Sequence, residues 1–285
     1  MSIALRAAKP EDAEACGRIC YEAFKAIANQ HNFPPDFPSA DIAVGFLTMM
    51  LGTPGIYAVV AERDGRIVGS NFVDERTAIA GIGPITVDSA VQNGAIGRRL
   101  MEHILERAAH LRFAGVRLVQ AGYHNRSLCL YTKLGFETRE PLSTMQGPPL
   151  ALQIPACTVR LATAADLAPC NQLCFRIHGH HRGGELHDAI AQGSATVVER
   201  SGRLTGYATA IAFFGHAVGE TNEDLMALIA AAPAFLGPGF LVPTRNGELL
   251  RWCLANGLRL VHQLTLMTVG LYNEPRGAYL PSIAF

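Results

Sequence analysis

Net charge is missing from this sequence: 24 Lys and Arg offset 24 Asp and Glu among 285 residues. Without a basic excess or basic tracts, no nucleic acid and no acidic membrane surface is expected as a partner, and attraction for an anion must be local. Paired cysteine spacings are missing too. The seven cysteines are odd in number, and Cys16 with Cys20, like Cys170 with Cys174, stand one helical turn apart. That spacing fits buried apolar thiols, not a disulfide or zinc framework, and points to a reducing cytoplasm. No signal peptide is expected, because Arg6 arrives before any apolar segment has developed. Long apolar runs are also scarce. Residues 225–244 carry no charge, but Pro233, Gly237, Pro238, Gly239 and Pro243 divide them into helix, loop and strand, so no membrane span is expected. The dinucleotide fingerprint Gly-x-Gly-x-x-Gly is absent, and His178, His180 and His181 have no Cys or carboxylate at ligand spacing beside them, so no metal is expected.

What is present is organised around residues 85–100. An apolar, β-branched run through Ile85, Thr86 and Val87 stops at Asp88 and Ser89, and after a short turn Leu100, Ile104 and Ala108 recur at helical spacing. A strand therefore feeds a helix N-terminus, where unpaired amides and the helix dipole favour an anion. Ala95 and Gly97 leave room for close approach, Arg98 and Arg99 add positive charge, and Ala95 is expected to take ordinary helical backbone angles.

Gln92-x-x-Ala95-x-Gly97, followed by Arg98, Arg99 and Leu100, resembles the acyl-CoA pyrophosphate loop of the GNAT superfamily of N-acetyltransferases, with Ala95 in place of the usual first glycine. Downstream, Asn125, Tyr131, Gly135 and Phe136 are similar to a second element of that family. The resemblance implies acetyl-CoA as co-substrate and transfer of its acetyl group to a primary amine by direct attack. It implies that Ile85, Thr86 and Val87 pair with the pantetheine arm. Gln92, Asn93, Gly94, Ala95, Ile96, Gly97 and Arg98 would hold the pyrophosphate, Asn125 would touch the arm, and Tyr131 would protonate the leaving thiolate as general acid. The base stays open. Residues 80–87 contain no Asp or Glu, which leaves Glu75, His124 or a water held by backbone carbonyls.

The first half reads β-α-α-β-β-β-α-β-α, an α/β order. After a Pro- and Gly-containing stretch the chain starts again. Arg6, Asp12, Cys16 and Cys20 recur as Arg160, Asp166, Cys170 and Cys174, each 154 residues later. Two copies of one fold are expected: tandem GNAT folds, each a mixed, largely antiparallel sheet flanked by helices. The divisions are a catalytic domain at 1–142, a linker at 143–156 and a degenerate GNAT-like domain at 157–285. The second copy carries Glu220, Glu223 and Asp224 where a phosphate loop is due, and Cys253 where Tyr131 stands, so it is expected to have lost acyl-CoA. His31, His216 and Glu220 are its candidates, with the first copy, for an acceptor site that takes a small-molecule amine or other amino-group acceptor. A monomer is favoured over a homodimer, since fused copies can satisfy a dimer contact internally. Against the transferase stand an acyl-CoA-responsive binding protein and a pseudoenzyme without useful turnover.

Overall fold

A computed structural model describes residues 3–92 and 94–284. The first half runs β1 (Ala4–Ala7), α1 (Ala13–Gln30), α2 (Ala40–Gly52), β2 (Ile56–Arg63), β3 (Arg66–Asp74), β4 (Ile79–Val87), α3 (Ile96–His110), β5 (Gly115–Ala121), α4 (Asn125–Lys133) and β6 (Glu137–Gln146). The second repeats that order as β7 (Cys157–Leu161), α5 (Leu167–His178), α6 (Gly183–Ala191), β8 (Thr196–Arg200), β9 (Arg203–Ala208), β10 (Ala217–Gly219), α7 (Asn222–Ala231), β11 (Phe240–Pro243), α8 (Gly247–Ala255) and β12 (Arg259–Gly270), then adds β13 (Ala278–Leu280).

The repeated residues build the same device twice. Arg6 donates to Asp12 at 2.7 and 2.9 Å and to Glu62 at 3.0 and 3.2 Å, clamping the first strand to the following turn and to β2. Arg160 grips Asp166 at 2.8 Å and Glu199 at 2.7 Å in the same way, and this guanidinium holds the Asp166 carboxyl well below the usual carboxylate range. Both halves also turn their first hairpin on a left-handed pair, Asp64-Gly65 and Ser201-Gly202. Gly17 permits a close crossing of α1 and α2, because a Cβ there would meet the Val44 backbone at 2.5 Å.

The sheets join the halves in a way that sequence spacing does not reveal. One sheet has the order β1-β2-β3-β4-β5-β12-β6-β11, the other β13-β10-β9-β8-β7. In the first, only β4 and β5 pair in parallel. β12 of the second half lies between β5 and β6 of the first, while β6 lies between β12 and β11. The two halves therefore exchange their last long strands about a local pseudo-two-fold. The boundary expected at residue 142 falls inside β6, where Leu142, Ser143, Thr144 and Met145 are all 0% exposed. Of the linker expected at 143–156, residues 147–156 are free of helix and strand. Pro141 reads as a breaker, yet it is accommodated in β6 two residues from the irregularity at Arg139, and its carbonyl accepts from the Thr244 amide at 2.8 Å.

In the second half the position of a phosphate loop is filled from within. The fully buried Asp224 carboxylate caps α7, accepting from the Thr221 amide at 3.0 Å, from the Thr205 hydroxyl at 2.6 Å and from Arg200 at 3.3 Å. An anion supplied by the chain thus occupies the helix start. Asp224→Ala should lower unfolding stability by about 2–4 kcal/mol, because the cap and a buried charge partner vanish together. Denaturant titration reads that loss, while acetyl-CoA affinity should not change.

No helix among the described residues is long and apolar enough to cross a membrane. Among them, no group of three or more His, Cys, Asp or Glu is placed to hold a metal ion.

Candidate active site

The cleft opens where β4 and β5 part. They pair only from Ile79 with Gly115 to Gly81 with Arg117. Beyond that point β4 bulges against β3 and stays bonded to it at Ile85, Thr86 and Val87, so its other edge faces the gap without a strand partner. β5 is held on its far side by β12. A cavity of about 570 Å³ fills the gap, bordered by α1, the start of α3, the start of α4 and the β4 and β5 edges. Thr86 and Gln120 border this cavity, and Thr86 Oγ1 and both side-chain polar atoms of Gln120 are buried with no hydrogen-bond partner within the protein. Buried polar atoms left without a partner are costly, at about 1–3 kcal/mol each.

At one end stands the start of α3. Arg99 makes the first helical bond, to the Ala95 carbonyl at 3.0 Å, so the amides of Ile96, Gly97 and Arg98 lack intrahelical acceptors. Ala95 departs from expectation: its φ is 57°, in the left-handed region, because the turn entering α3 needs that geometry. A methyl-bearing residue there carries about 1–2 kcal/mol of strain, which explains why glycine suits the position. Gln92, Ala95, Ile96, Gly97 and Arg98 line the cavity, and the Ile96 side chain also packs into the core. Gly94 is exposed beside them, and Asn93 lies outside the described residues. Arg126 donates to the Gln92 side chain at 3.1 Å and brings a second guanidinium to this end. Arg99 does not join them, since it donates to the Ile3 carbonyl.

At the base of the cleft lies Tyr131. Gly135, with φ 90°, ends the segment after α4, and Phe136 packs edge-on to Tyr131 at 6.0 Å, which fixes the ring. Burial pushes the phenol up to about 12, opposed in part by the Ser127 hydroxyl. That hydroxyl is also 2.7 Å from His124 Nδ1. The His124 imidazole lines the cavity and is held below its ordinary pKa by burial, then by Arg126 and His31. A protonated phenol and a neutral imidazole are thus connected through one serine.

The other sequence candidates fall elsewhere. Glu75 is locked to Arg107 at 2.5 and 2.9 Å and does not line the cavity, so it is not placed as a base. Asn125 opens α4 exposed, outside the lining. His31 is exposed after α1 with its ring 5.1 Å from Tyr123, beside the lining but not in it. His216 is buried within the second half against Tyr207 at 3.0 Å, and Glu220 pairs with Arg203 at 2.6 Å. They flank the two ends of β10 in the second half, and neither lines the cavity. The second half contributes Phe213, Phe214, His262 and Ile283 instead. Sequence reasoning also passed over Asp36, a carboxylate in the proline-rich loop after α1 that lines the cavity. Its only sequence signal is a charge flanked by Pro35 and Phe37.

The arrangement offers unpaired amides and guanidiniums for an anion, an open strand edge for an extended arm, and a proton donor at the base. Residues 54–138 match the family profile described as an acetyltransferase (GNAT) domain. An IAA acetyltransferase of Azospirillum brasilense is 31% identical over 104 residues, which span 36% of this chain and 68% of that protein. A putative acetyltransferase of Pyrococcus horikoshii shares the fold with a TM-score of 0.76 at 17% identity, over 97% of this chain and 94% of that one. A tandem GNAT protein from the clavulanic acid biosynthesis pathway does so with a TM-score of 0.57 at 14% identity, over 99% and 100%. Both solved structures match across the two halves, as the repeat requires. The chain belongs to the GNAT family of acetyltransferases, in its tandem form.

Proposed function

We propose that this acyltransferase moves an acetyl group from acetyl-CoA to a primary amine by direct attack. The open β4 edge at residues 82–87 receives the pantetheine arm as an added strand, its unpaired backbone groups meeting the arm's amides. Amides at the start of α3, with Arg98 and Arg126, hold the pyrophosphate. As the amine nitrogen bonds to the thioester carbon, His124 takes the surplus proton from nitrogen. The carbon–sulfur bond then breaks, and Tyr131 gives its phenolic proton to the departing sulfur. Ser127, between the two, provides a path by which that proton is replaced.

The observation that carries this reading is the parting of β4 and β5 directly beneath a helix start, with Tyr131 at the base of the gap. A second acyl-CoA site is not proposed, because Asp224 already fills the corresponding helix start. The internal exchange of β6 and β12 supports a monomer, and the free thiols support a reducing, cytoplasmic setting.

Isothermal titration with acetyl-CoA should give one site per chain, and adding an amine should release free thiol at a steady rate. Binding without amine-dependent thiol release would favour the acyl-CoA-responsive binding protein. Absence of binding would favour the pseudoenzyme.

A further inference from the structure

Beyond the arm-binding end, the cavity has a composition of its own. Asp36 is the only carboxylate among its described lining residues, and the two arginines that line it stand at the starts of α3 and α4. Asp36 accepts no hydrogen bond and forms no ion pair with any described residue. Pro34, Pro35 and Pro38 stiffen the loop around it. Its neighbour Phe37 is 5% exposed, pinned by Phe24 at 6.2 Å, Phe46 at 5.8 Å and Phe214 at 6.4 Å. Tyr123, whose phenol is raised by burial first and by the nearby Asp36 charge second, also lines the cavity. Tyr123 stacks on Phe33 at 4.5 Å and meets His262 edge-on at 6.2 Å. Phe213 links His262 at 6.2 Å to Phe214 at 5.7 Å, closing an aromatic wall that both halves build.

We infer that the acceptor is a primary amine with a ring-sized apolar body and no carboxylate, held by the unpaired Asp36 through its ammonium and by the Phe37–Phe46–Phe214 wall through its body. This rests on the transferase reading above. Asp36 is half-buried, with its carboxylate lining the cavity; crowding by its surroundings pushes it up to about 6, and a cation in the cavity is its natural partner. An ammonium supplies that cation on entry, aromatic faces add their own attraction for it, and its nitrogen becomes a nucleophile once one proton has passed to the Asp36 carboxylate. A carboxylate on the same small molecule would be turned back by Asp36, with no described arginine at this end to receive it.

The test compares 2-phenylethylamine with phenylalanine, which differ by that carboxylate, and with ethylamine, which lacks the ring, all at saturating acetyl-CoA. KM for 2-phenylethylamine should be about tenfold or more below that of the other two. Asp36→Asn should raise KM for 2-phenylethylamine about tenfold, reduce the disadvantage of phenylalanine, and leave acetyl-CoA affinity by titration unchanged. Asparagine keeps the shape and removes the unpaired charge, so folding should survive. Phe214→Ala, at a side chain 41% exposed, tests the other half independently and should raise KM for 2-phenylethylamine more than for ethylamine. Equal use of phenylalanine, or an unchanged KM in both variants, overturns the inference. So does turnover confined to amines without a ring, which would leave the transferase intact. Thiol release with no amine at all would instead overturn the transferase reading itself.

Discussion

Gly97→Asp should weaken acetyl-CoA binding about 100-fold or more while leaving the protein as stable as before, or slightly more so. The two effects have opposite signs for one reason, the positive end of α3. A Cβ at Gly97 would meet only Leu130 Cδ2 and Val87 Cγ2, each at 3.8 Å, so the protein accommodates the side chain. The first turn of α3 holds no acidic residue, and a carboxylate there interacts favourably with the helix dipole by about 0.3–1 kcal/mol. Aspartate also forms helix more readily than glycine. The same carboxylate would stand where a pyrophosphate must lie. Two like charges about 6 Å apart at an effective dielectric near 20 repel by about 3 kcal/mol, which is about 100-fold in affinity. Titration calorimetry and a thermal midpoint measured on one preparation read both signs. Retained affinity would mean that the phosphates lie elsewhere, and a lowered midpoint would mean that the loop is more tightly constrained than these contacts show.

Tyr131→Phe should reduce kcat by about 100-fold or more with little change in acetyl-CoA affinity. The ring that packs on Phe136 is retained, so the loss isolates the hydroxyl. Because burial holds the phenol near 12, Tyr131 keeps its proton throughout the neutral range and the acid role imposes no loss of rate near pH 8. In the proposed mechanism the rising limb belongs to the base. His124 works as a proton acceptor only when neutral, and its pKa lies below the ordinary imidazole value, so the rate should rise with pH on the acid side of the usual histidine range. In Tyr131→Phe that limb should persist at a lower plateau. A variant with undiminished kcat would remove the acid role, and a limb that moves with the substitution would place the titration on the pair.

The parts of this site that were legible from sequence are those whose signals are local. A β-branched run ending at Val87, a turn, and apolar residues at helical spacing from Leu100 specify a strand and helix within one stretch, and the spacing from Tyr131 to Gly135 fixes which helix turn the phenol occupies. The repeated Arg6–Asp12 and Arg160–Asp166 pairs were equally visible, because each closes a contact over six residues. Ala95 misled because backbone angles depend on the turn entering the helix and not on side-chain type alone. Glu75 and His216 misled for a different reason: a titratable side chain at a strand end is claimed by whichever partner the tertiary fold brings, here Arg107 and Tyr207. Asp36 and Phe214, which face one cavity, stand far apart in the chain, and nothing within either segment encodes the other. The strand order around β12 belongs to the same class.

That strand order sets a schedule for the protein's own making. When residues 1–146 have left the ribosome, they contain the helix start, the β4 edge and Tyr131, but β5 and β6 have nothing between them. Their pairing partner, residues 259–270, is more than a hundred residues behind β6 in synthesis. The early portion must therefore wait with two unsatisfied edges, a state prone to wrong pairings, and non-local closure of this kind is slow. Activity should appear in a translation time course only after the second half has emerged, so its synthesis acts as a clock on the first.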